Sequence, residues 1–266
     1  MTTPVLKIDQ LCKRFGGIVV ADAIDLEIHA GEILGLIGPN GAGKSTLFNL
    51  ISGVYPTDSG EVSLMGESLS GLSIESRAQR GISRTWQHMR LFPSLSVLEN
   101  LVVASRFYEA ESLVSLFFNS SKVKVRQEEK IERALKILER MKLGHLSGSA
   151  IGDLTFGQQK LMGLARALMN EGQLLLLDEP MAGVEGQSYD MMKELVRQEA
   201  MMGRAICVVE HNISFVNDLC SSAVFMFAGK ILERGRVQDL LASKTLEALY
   251  FGSSTDVELL PKEVLL

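Results

Sequence analysis

A glycine-rich stretch spans residues 38–46 and reads GPNGAGKST, which matches the pattern G-x-x-x-x-G-K-[ST]. Glycines let the backbone curl around a phosphate with its N–H groups pointing inward, and Lys44 can reach the β and γ phosphates. The hydroxyl of Ser45 is a ligand for Mg²⁺. An apolar run precedes the loop and a helical pattern follows it. The stretch predicts a nucleotide site formed by Gly38, Pro39, Asn40, Gly41, Ala42, Gly43, Lys44, Ser45 and Thr46.

Two carboxylates follow a run of four leucines in LLLLDEP, residues 174–180. A strand that ends at Asp178 would place this carboxylate where it helps to hold Mg²⁺. Glu179 could then polarise a water for attack on the γ phosphate. His211 directly follows another apolar strand, AICVVE, and could approach the same phosphate, although a lone histidine at a strand end is more often structural.

A second helix start suited to an anion lies at LTFGQQKLMGLARAL, residues 154–168. Gly157 is followed by Gln158 and then by an apolar stripe with helical spacing. The first turn of such a helix presents unpaired N–H groups and a partial positive charge. The residues alone leave open whether this helix and the glycine-rich loop hold the same ligand.

Apolar strands that alternate with helices must position these groups. Short apolar runs precede residue 38, Asp178 and His211, and helical patterns follow each of them, which predicts a mainly parallel α/β sheet. The first strands alternate apolar and polar residues and could form a separate antiparallel layer. Residues 97–143 read as a helical lobe, with Ile131, Leu135, Leu138 and Met141 predicted on one face of a long helix.

Composition excludes several classes of protein. The chain has 266 residues, 46% of them hydrophobic, and a net charge of −5, which argues against a protein that coats nucleic acid. Its three cysteines are far apart in sequence and lack metal-ligand spacing, so reduced structural thiols are expected. The beginning of the sequence resembles no signal peptide, and no apolar run has the length of a membrane span. We expect a soluble chain that reaches a membrane only through a partner.

The order of the motifs resembles the ATP-binding subunit of an ABC transporter, and the resemblance runs from about residue 4 to 252. GTPases share the glycine-rich loop, but their N-K-x-D motif is absent from this sequence. The resemblance implies a P-loop NTPase core of RecA-like type, with an antiparallel β layer and an inserted helical lobe. The core and β part would span about 1–87 and 171–252, the lobe about 88–170, and a tail 253–266.

The resemblance also implies roles for single residues. Phe15 matches the aromatic residue that stacks on adenine, although an ordinary core phenylalanine is the alternative. Glu179 matches the catalytic base, His211 the switch histidine, and Gln87 the glutamine that contacts Mg²⁺ and relays the nucleotide state to a membrane partner. Metal ligands would be Ser45, Gln87 and Asp178, and the signature residues would be Thr155, Phe156, Gly157 and Gln158.

In this family the signature helix faces the γ phosphate held by the loop of a second subunit, so two chains sandwich two ATP molecules. That arrangement would account for two anion-binding helix starts in one chain. Two departures from the family pattern bear on the pairing. Thr155 and Phe156 replace the serine and first glycine of L-S-G-G-Q, and Glu185 and Gly186 stand where Asp or Asn and often proline are usual.

Residues 81–104 and the aromatic-Gly-Gln-Gln signature resemble the ATPases of branched-chain, or hydrophobic, amino-acid importers, in particular the longer of their two paralogous subunits. The cofactors implied are ATP and Mg²⁺. The implied partners are transmembrane permease subunits, which could dock in a groove beside Phe92 and Leu95, a second ATP-binding subunit (identical or, by this resemblance, paralogous) and a separate substrate-binding protein. The implied location is the cytoplasmic face of the inner membrane.

Two alternatives remain. One is an ABC ATPase for another cargo, as in urea-type import or lipopolysaccharide-type export. The other is a soluble ABC ATPase of DNA repair or translation, which the single module and the lack of a sustained heptad disfavour.

Overall fold

A computed structural model describes residues 3–87, 89, 91–105, 120–243 and 246, with the side chains of 120–124 left out. Part of the predicted helical lobe, residues 106–119, and the predicted tail 253–266 lie outside the described residues. The strands are β1 Leu6–Phe15, β2 Ile18–Ile28, β3 Ile33–Ile37, β4 Ser59–Leu64, β5 Glu67–Ser68, β6 Ile82–Arg84, β7 Leu174–Asp178, β8 Ala205–Val209, β9 Ser222–Phe227 and β10 Lys230–Gly235. The helices are α1 Lys44–Ser52, α2 Ile74–Gln79, α3 Val97–Val102, α4 Ser120–Arg140, α5 Phe156–Leu168, α6 Gln187–Met201, α7 Ile213–Leu219 and α8 Val237–Leu241.

A six-stranded sheet in the order β10-β9-β3-β8-β7-β6 forms the centre of the molecule. Its strands pair in parallel except for β10, which pairs antiparallel with β9. The central strands β3, β7 and β8 are short, and they are apolar apart from Asp178 at the end of β7, because both faces of a parallel sheet are covered. The predicted mainly parallel α/β sheet is therefore confirmed.

A second sheet, in the order β2-β1-β4-β5, is antiparallel and confirms the predicted separate layer. In β2 the apolar residues Ile24, Leu26 and Ile28 are buried, while the residues between them face outward to different degrees. This alternation is what a strand with one covered face requires. The layer ends near Phe15, at the tip of the β1–β2 hairpin.

Alternate residues of the parallel strands divide between two hydrophobic clusters. In β7, Leu175 and Leu177 belong to the cluster with the helices of the lobe, whereas Leu174 and Leu176 belong to the cluster that includes α1 and the antiparallel sheet. Successive side chains of a strand point to opposite faces, so the sheet separates the two clusters. Every residue of this strand is buried, which fixes the position of Asp178 at its end.

Two details of the sequence prediction are wrong. On the predicted face of the lobe helix, Leu138 and the following Met141 are buried as predicted, but Leu135 is exposed, because α4 packs through the small residue Ala134 and through Ile137 instead. The stretch GISRTWQ, residues 81–87, is typical of a strand along its whole length, but β6 spans only Ile82–Arg84. Among the described residues, no helix is long and apolar enough to cross a membrane.

Candidate functional site

The glycine-rich loop lies between β3 and α1, in the middle of the parallel sheet. Helix α1 begins at Lys44, and its first i→i−4 hydrogen bond runs from the N–H of Leu47 to the carbonyl of Gly43 at 2.8 Å. The three preceding N–H groups have no partner within the helix, which makes this helix end suited to an anion. Gly43 has a φ of 105°, and a Cβ there would lie 2.5 Å from the carbonyl oxygen of Val20. Only glycine fits this position.

Lys44 lies buried and folds back over the loop. Its Nζ donates hydrogen bonds to the carbonyl oxygens of Gly38 at 2.7 Å and Pro39 at 2.9 Å. Burial lowers the pKa of the ammonium group, and the nearby carboxylates of Glu179 and Asp178 oppose this shift. The Lys44 nitrogen therefore interacts electrostatically with Glu179, the predicted base, and with Asp178, the predicted metal ligand. The other predicted residues of the loop and first helical turn are Asn40, Gly41, Ala42, Ser45 and Thr46.

Glu179 is the centre of a polar cluster. One carboxylate oxygen lies 3.0 Å from Nε2 of His211, and the other accepts a hydrogen bond from Nε2 of Gln87 at 3.2 Å. The Glu179 backbone has a φ of 47°, a left-handed conformation that is held by a hydrogen bond from its N–H to the carbonyl of Val209 at 2.9 Å. Such strain costs about 1–3 kcal/mol and concentrates at functional sites. The structure thus brings the three predicted catalytic side chains together.

Asp178 lies at the carboxyl end of β7 and is only 5% exposed. Its N–H donates to the hydroxyl of Thr85 at 3.0 Å, and its Oδ2 accepts a hydrogen bond from Nη2 of Arg84 at 2.9 Å. A buried carboxylate requires such partners, because burial of an unpaired charge is costly. The predicted metal ligand therefore has a cationic neighbour that the sequence analysis did not identify.

The signature residues form the start of α5. Thr155 is the N-cap: its hydroxyl accepts from the N–H of Gln158 at 3.3 Å, and the Gln158 side chain accepts from the N–H of Thr155 at 2.9 Å. This capping box satisfies two donors that a helix start leaves unpaired. Phe156 is 51% exposed and lies against Gly183, and Gly157 follows it in the helix. In the described part of the chain, the hydrogen bonds of Thr155 and Gln158 remain within this helix start.

The loop after Glu179 explains why residue 186 is glycine, where proline is frequent in the family. Gly186 is the N-cap of α6 and has φ 61° and ψ −138°. Proline, with φ fixed near −65°, cannot adopt this conformation. Glu185 beside it is exposed.

Phe15 lies at the edge of the antiparallel sheet with 41% of its surface exposed. Its ring packs edge-to-face against Tyr55 with centroids 5.1 Å apart, and Nζ of Lys13 lies 5.4 Å from its centroid. Lys13 in turn pairs with Asp58 at 2.6 Å. The exposure excludes an ordinary core position for Phe15 and leaves part of its ring surface open.

A groove of about 470 Å³ follows β6 on the lobe side of the site. Phe92 and Trp86 line it, each with a guanidinium over its ring: Arg166 lies 5.2 Å from the Phe92 centroid, and Arg84 lies 4.5 Å from that of Trp86. Leu95 is half-buried and does not line the groove, contrary to the predicted pairing with Phe92.

The segment that carries Phe92 is held by a buried amide. Asn100 is fully buried, and its Oδ1 accepts from the N–H of Phe92 at 2.8 Å. Its Nδ2 donates to the carbonyls of Phe92, Leu95 and Ser96. One side chain thus replaces the backbone pairing that this irregular segment lacks.

The predicted metal ligands offer only oxygen donors: a hydroxyl at Ser45, an amide at Gln87 and a carboxylate at Asp178. Mg²⁺ prefers oxygen ligands, and proteins usually hold it through one or two carboxylates together with substrate phosphates. The donor set therefore fits Mg²⁺ bound with a nucleotide. It does not resemble the sulfur and nitrogen ligands of a zinc site.

The sequence did not identify three residues that contact the segment from Asp178 to Met181. Besides Arg84, Lys160 donates from Nζ to the Glu179 carbonyl at 3.4 Å. Glu210, only 3% exposed, accepts from the N–H of Met181 at 2.8 Å and thereby ties the strand before His211 to the loop after Glu179. Burial raises the pKa of the Glu210 carboxyl. An acidic residue at the end of a buried strand was the available sequence signal for Glu210, whereas Arg84 and Lys160 carried none.

Comparison with known proteins places the chain in a family. Residues 21–182 match the family described as ABC transporter. The high-affinity branched-chain amino acid transport ATP-binding protein LivG of Escherichia coli K12 is 31% identical over 96% of this chain and 100% of that protein. BraF of Pseudomonas aeruginosa, with the same description, is 29% identical over 96% of this chain and all of its own length.

Similar solved structures belong to the same family of proteins. A nucleotide-free ATP-binding cassette from an ABC transporter is 31% identical and superposes with a TM-score of 0.82 over 94% of this chain and 100% of that chain. The ADP conformation of an ATP-binding cassette of an ABC transporter is 30% identical, with a TM-score of 0.81 over 95% of this chain and 100% of that chain. This chain belongs to the ABC transporter family, as one of its ATP-binding cassette ATPases.

Proposed function

We propose that this chain hydrolyses ATP at Glu179 to power the import of branched-chain or other hydrophobic amino acids. The observation that carries the hydrolytic part is the contact of Glu179 with both Gln87 and His211, at the edge of the sheet beside the glycine-rich loop. Ligands in open α/β sheets bind at the carboxyl ends of the strands, where these residues lie. The relatives named above support the class of cargo.

The loop residues bind and orient the nucleotide. The N–H groups at the start of α1 and the ammonium of Lys44 hold the β and γ phosphates, and Phe15 stacks on the adenine through its open ring face. Ser45, Gln87 and Asp178 would hold Mg²⁺, which neutralises charge on the phosphate oxygens when it is bound.

Glu179 accepts a proton from the attacking water, as a general base within hydrogen-bond reach of that water must. His211 donates to one oxygen of the carboxylate and Gln87 to the other, so the carboxylate is held in one orientation. A carboxylate that is already held in its reactive orientation does not have to reorient during the reaction, and this lowers the activation barrier.

The signature residues Thr155, Phe156, Gly157 and Gln158 act on the nucleotide of a second ATP-binding subunit. The intrachain bonds of Thr155 and Gln158 fix the helix start, and the remaining first-turn N–H groups are available to a phosphate from outside the chain. The second subunit is either another copy of this chain or, as we propose from the importer resemblance, a paralogue.

The groove lined by Trp86 and Phe92 docks the permease subunit at the cytoplasmic face of the inner membrane. Aromatic rings and arginines are the residue types that anchor protein interfaces. The predicted division into a core of 1–87 and 171–252 and a lobe of 88–170 puts this groove at the boundary between the two parts. A separate substrate-binding protein would select the cargo.

The cargo is tested by uptake in the cells that produce the chain. Replacing it with Glu179→Gln should abolish the uptake of radiolabelled leucine, isoleucine and valine by this system and leave urea uptake unchanged. Glu128→Gln, which alters an exposed carboxylate on α4, is the matched control and should behave as the wild type. Unchanged amino-acid uptake in Glu179→Gln cells, or a loss confined to urea, would show that the assigned cargo is wrong.

A further inference from the structure

Arg84 makes contacts that neither the family pattern nor the proposed mechanism uses. Its side chain is only 6% exposed, and Nη2 donates to Oδ2 of Asp178 at 2.9 Å. Nη1 donates at 2.8 Å to Oδ1 of Asn49 and at 2.8 Å to Oγ of Ser52, both on α1. One guanidinium therefore bonds the end of β7 and the helix that begins at the phosphate-binding loop.

The same guanidinium lies over two aromatic rings. Arg84 Cζ lies 4.5 Å from the centroid of Trp86 and 5.6 Å from that of Phe48. Trp86 is 38% exposed and lines the groove, and it is the only tryptophan of the chain. Arg84 also lines the groove. The Arg84 guanidinium, which pairs with the predicted metal ligand Asp178, is thus the same group that lies over Trp86 in the groove.

We propose that Arg84 is a positioning residue that couples Asp178 to Trp86, so that metal binding at the carboxylate and events in the groove affect each other. The proposal rests on the proposed function, because Asp178 must be a metal ligand. The hydrogen bonds described for the Asp178 carboxylate involve Oδ2 alone, which leaves Oδ1 for the metal.

The coupling arises because the Arg84 guanidinium is shared between Asp178, the two side chains on α1 and the aromatic rings. A divalent ion that takes up negative charge at Asp178 weakens the hold of the carboxylate on the guanidinium. Arg84 then depends more on Asn49, Ser52 and the rings, and its position over Trp86 shifts. Metal binding would then change the affinity of the groove for a partner that displaces Trp86. By linkage, that partner changes the metal affinity at Asp178 by the same factor.

The coupling requires an arginine. Lysine could preserve the ion pair with Asp178, but a single ammonium cannot also bond Asn49 and Ser52 and lie flat on an indole ring. The Arg84→Lys variant should therefore keep the charge and lose the link. Arg80→Lys is the matched control, since Arg80 lies four residues earlier with its side chain 42% exposed, and its described partners, Glu67 and the Ser68 carbonyl, are exposed.

The fluorescence of Trp86 in the full-length chain measures the link directly. A non-hydrolysable ATP analogue is bound without divalent metal, and Mg²⁺ is then titrated. The wild type and Arg80→Lys should show an Mg²⁺-dependent change in emission, and in Arg84→Lys this change should fall at least about fivefold. Calorimetry on the same samples records binding of the analogue. If Arg84→Lys binds it and gives the wild-type change in emission, the coupling is wrong.

The first step of a second measurement leaves Arg84 unchanged. Trp86→Ala should shift the midpoint of the Mg²⁺ titration, followed by calorimetric binding of the analogue, at least about fivefold. Adding Arg84→Lys should shift it no further, because both changes break one link. An unchanged midpoint, or two shifts that add, would overturn the proposal. If the wild type itself fails to bind the analogue, the proposed function is wrong.

Discussion

At the scale of single residues, the proposed chemistry depends on how one carboxylate is shared. Glu179 has a donor on each oxygen, from His211 and from Gln87, and a strained backbone that holds both contacts. Glu179 was identifiable from its place directly after a buried strand, whereas the roles of Gln87 and His211 were implied by the family resemblance. The partner of Asp178 was not identifiable, since Arg84 lies 94 residues away and only the pairing of β6 with β7 brings it close.

Phe15→Ala should weaken ATP binding about tenfold, because aromatic stacking on a base contributes about 1–3 kcal/mol. Phe15→Tyr should retain most of the affinity, since the ring remains. Calorimetric titration with Mg-ATP measures both. Met201→Ala, which alters an exposed apolar side chain on α6, is the control, with 76% of Met201 exposed. Equal affinity of Phe15→Ala and the wild type would contradict the assignment of the adenine site.

At the scale of elements, the caps and ties of loops decide how the site is built. The sequence predicted the strands before residue 38, Asp178 and His211 correctly, because their apolar runs have clear ends. It predicted the packed face of the lobe helix correctly at Leu138 and Met141 and wrongly at Leu135, which is exposed while Ala134 is buried. The contacts of Asn100 and Glu210 could not be predicted, because each binds backbone groups whose position depends on the finished fold.

Removal of the N-cap at α5 should destabilise the protein. Thr155→Ala should lower the free energy of unfolding by about 1 kcal/mol, because the N–H of Gln158 loses its acceptor. Thr155→Ser keeps a hydroxyl and should keep most of the stability. Urea unfolding of the two variants should give a lower midpoint for the alanine alone, with an unchanged m value. Equal midpoints would show that the cap contributes nothing.

The buried Glu210 predicts a pH dependence of stability. Its pKa in the folded state is raised by burial above the ordinary value of about 4.5. As pH falls from neutral through the raised pKa, the folded state takes up a proton that the unfolded state does not yet bind, so stability rises relative to a variant without the group. Below about pH 4.5 both states are protonated and the gain is complete.

Glu210→Gln removes this titration while keeping an oxygen for the N–H of Met181. The free energy of unfolding of the wild type, compared with that of Glu210→Gln, should therefore increase as pH falls from neutral to about 4.5. Urea unfolding across this range measures the difference. A difference that is constant or that changes in the opposite direction would contradict the raised pKa.

At the scale of the whole molecule, the parallel sheet gathers residues that are distant in sequence. The glycine-rich loop follows β3, Gln87 follows β6, Asp178 and Glu179 lie at the end of β7, and His211 follows β8. The alternation of strands and helices predicted this convergence, because carboxyl ends of parallel strands share one edge. The start of α5, which is suited to bind an anion, is not among these residues. We therefore propose that a second subunit completes the site.

ATP should therefore drive association of a hydrolysis-deficient chain with its partner subunit. Glu179→Gln keeps the phosphate and metal ligands, so Mg-ATP should hold it in a closed pair with that partner, which ADP should not do. With the proposed paralogue as partner, Glu179→Gln alone should stay monomeric. Light scattering measures its mass with each nucleotide. A dimer would identify a second copy as the partner. A Glu179→Gln chain that binds Mg-ATP and stays monomeric would contradict self-pairing and favour a paralogous subunit.

The most direct test of the central claim compares single-turnover phosphate release from ATP by the wild type and Glu179→Gln, at high protein concentration with Mg²⁺. Calorimetry first establishes that both bind ATP. Loss of the general base should slow phosphate release about 10²–10⁴-fold while affinity stays close to that of the wild type. If Glu179→Gln releases phosphate at the wild-type rate, Glu179 is not the base and the proposed mechanism is wrong.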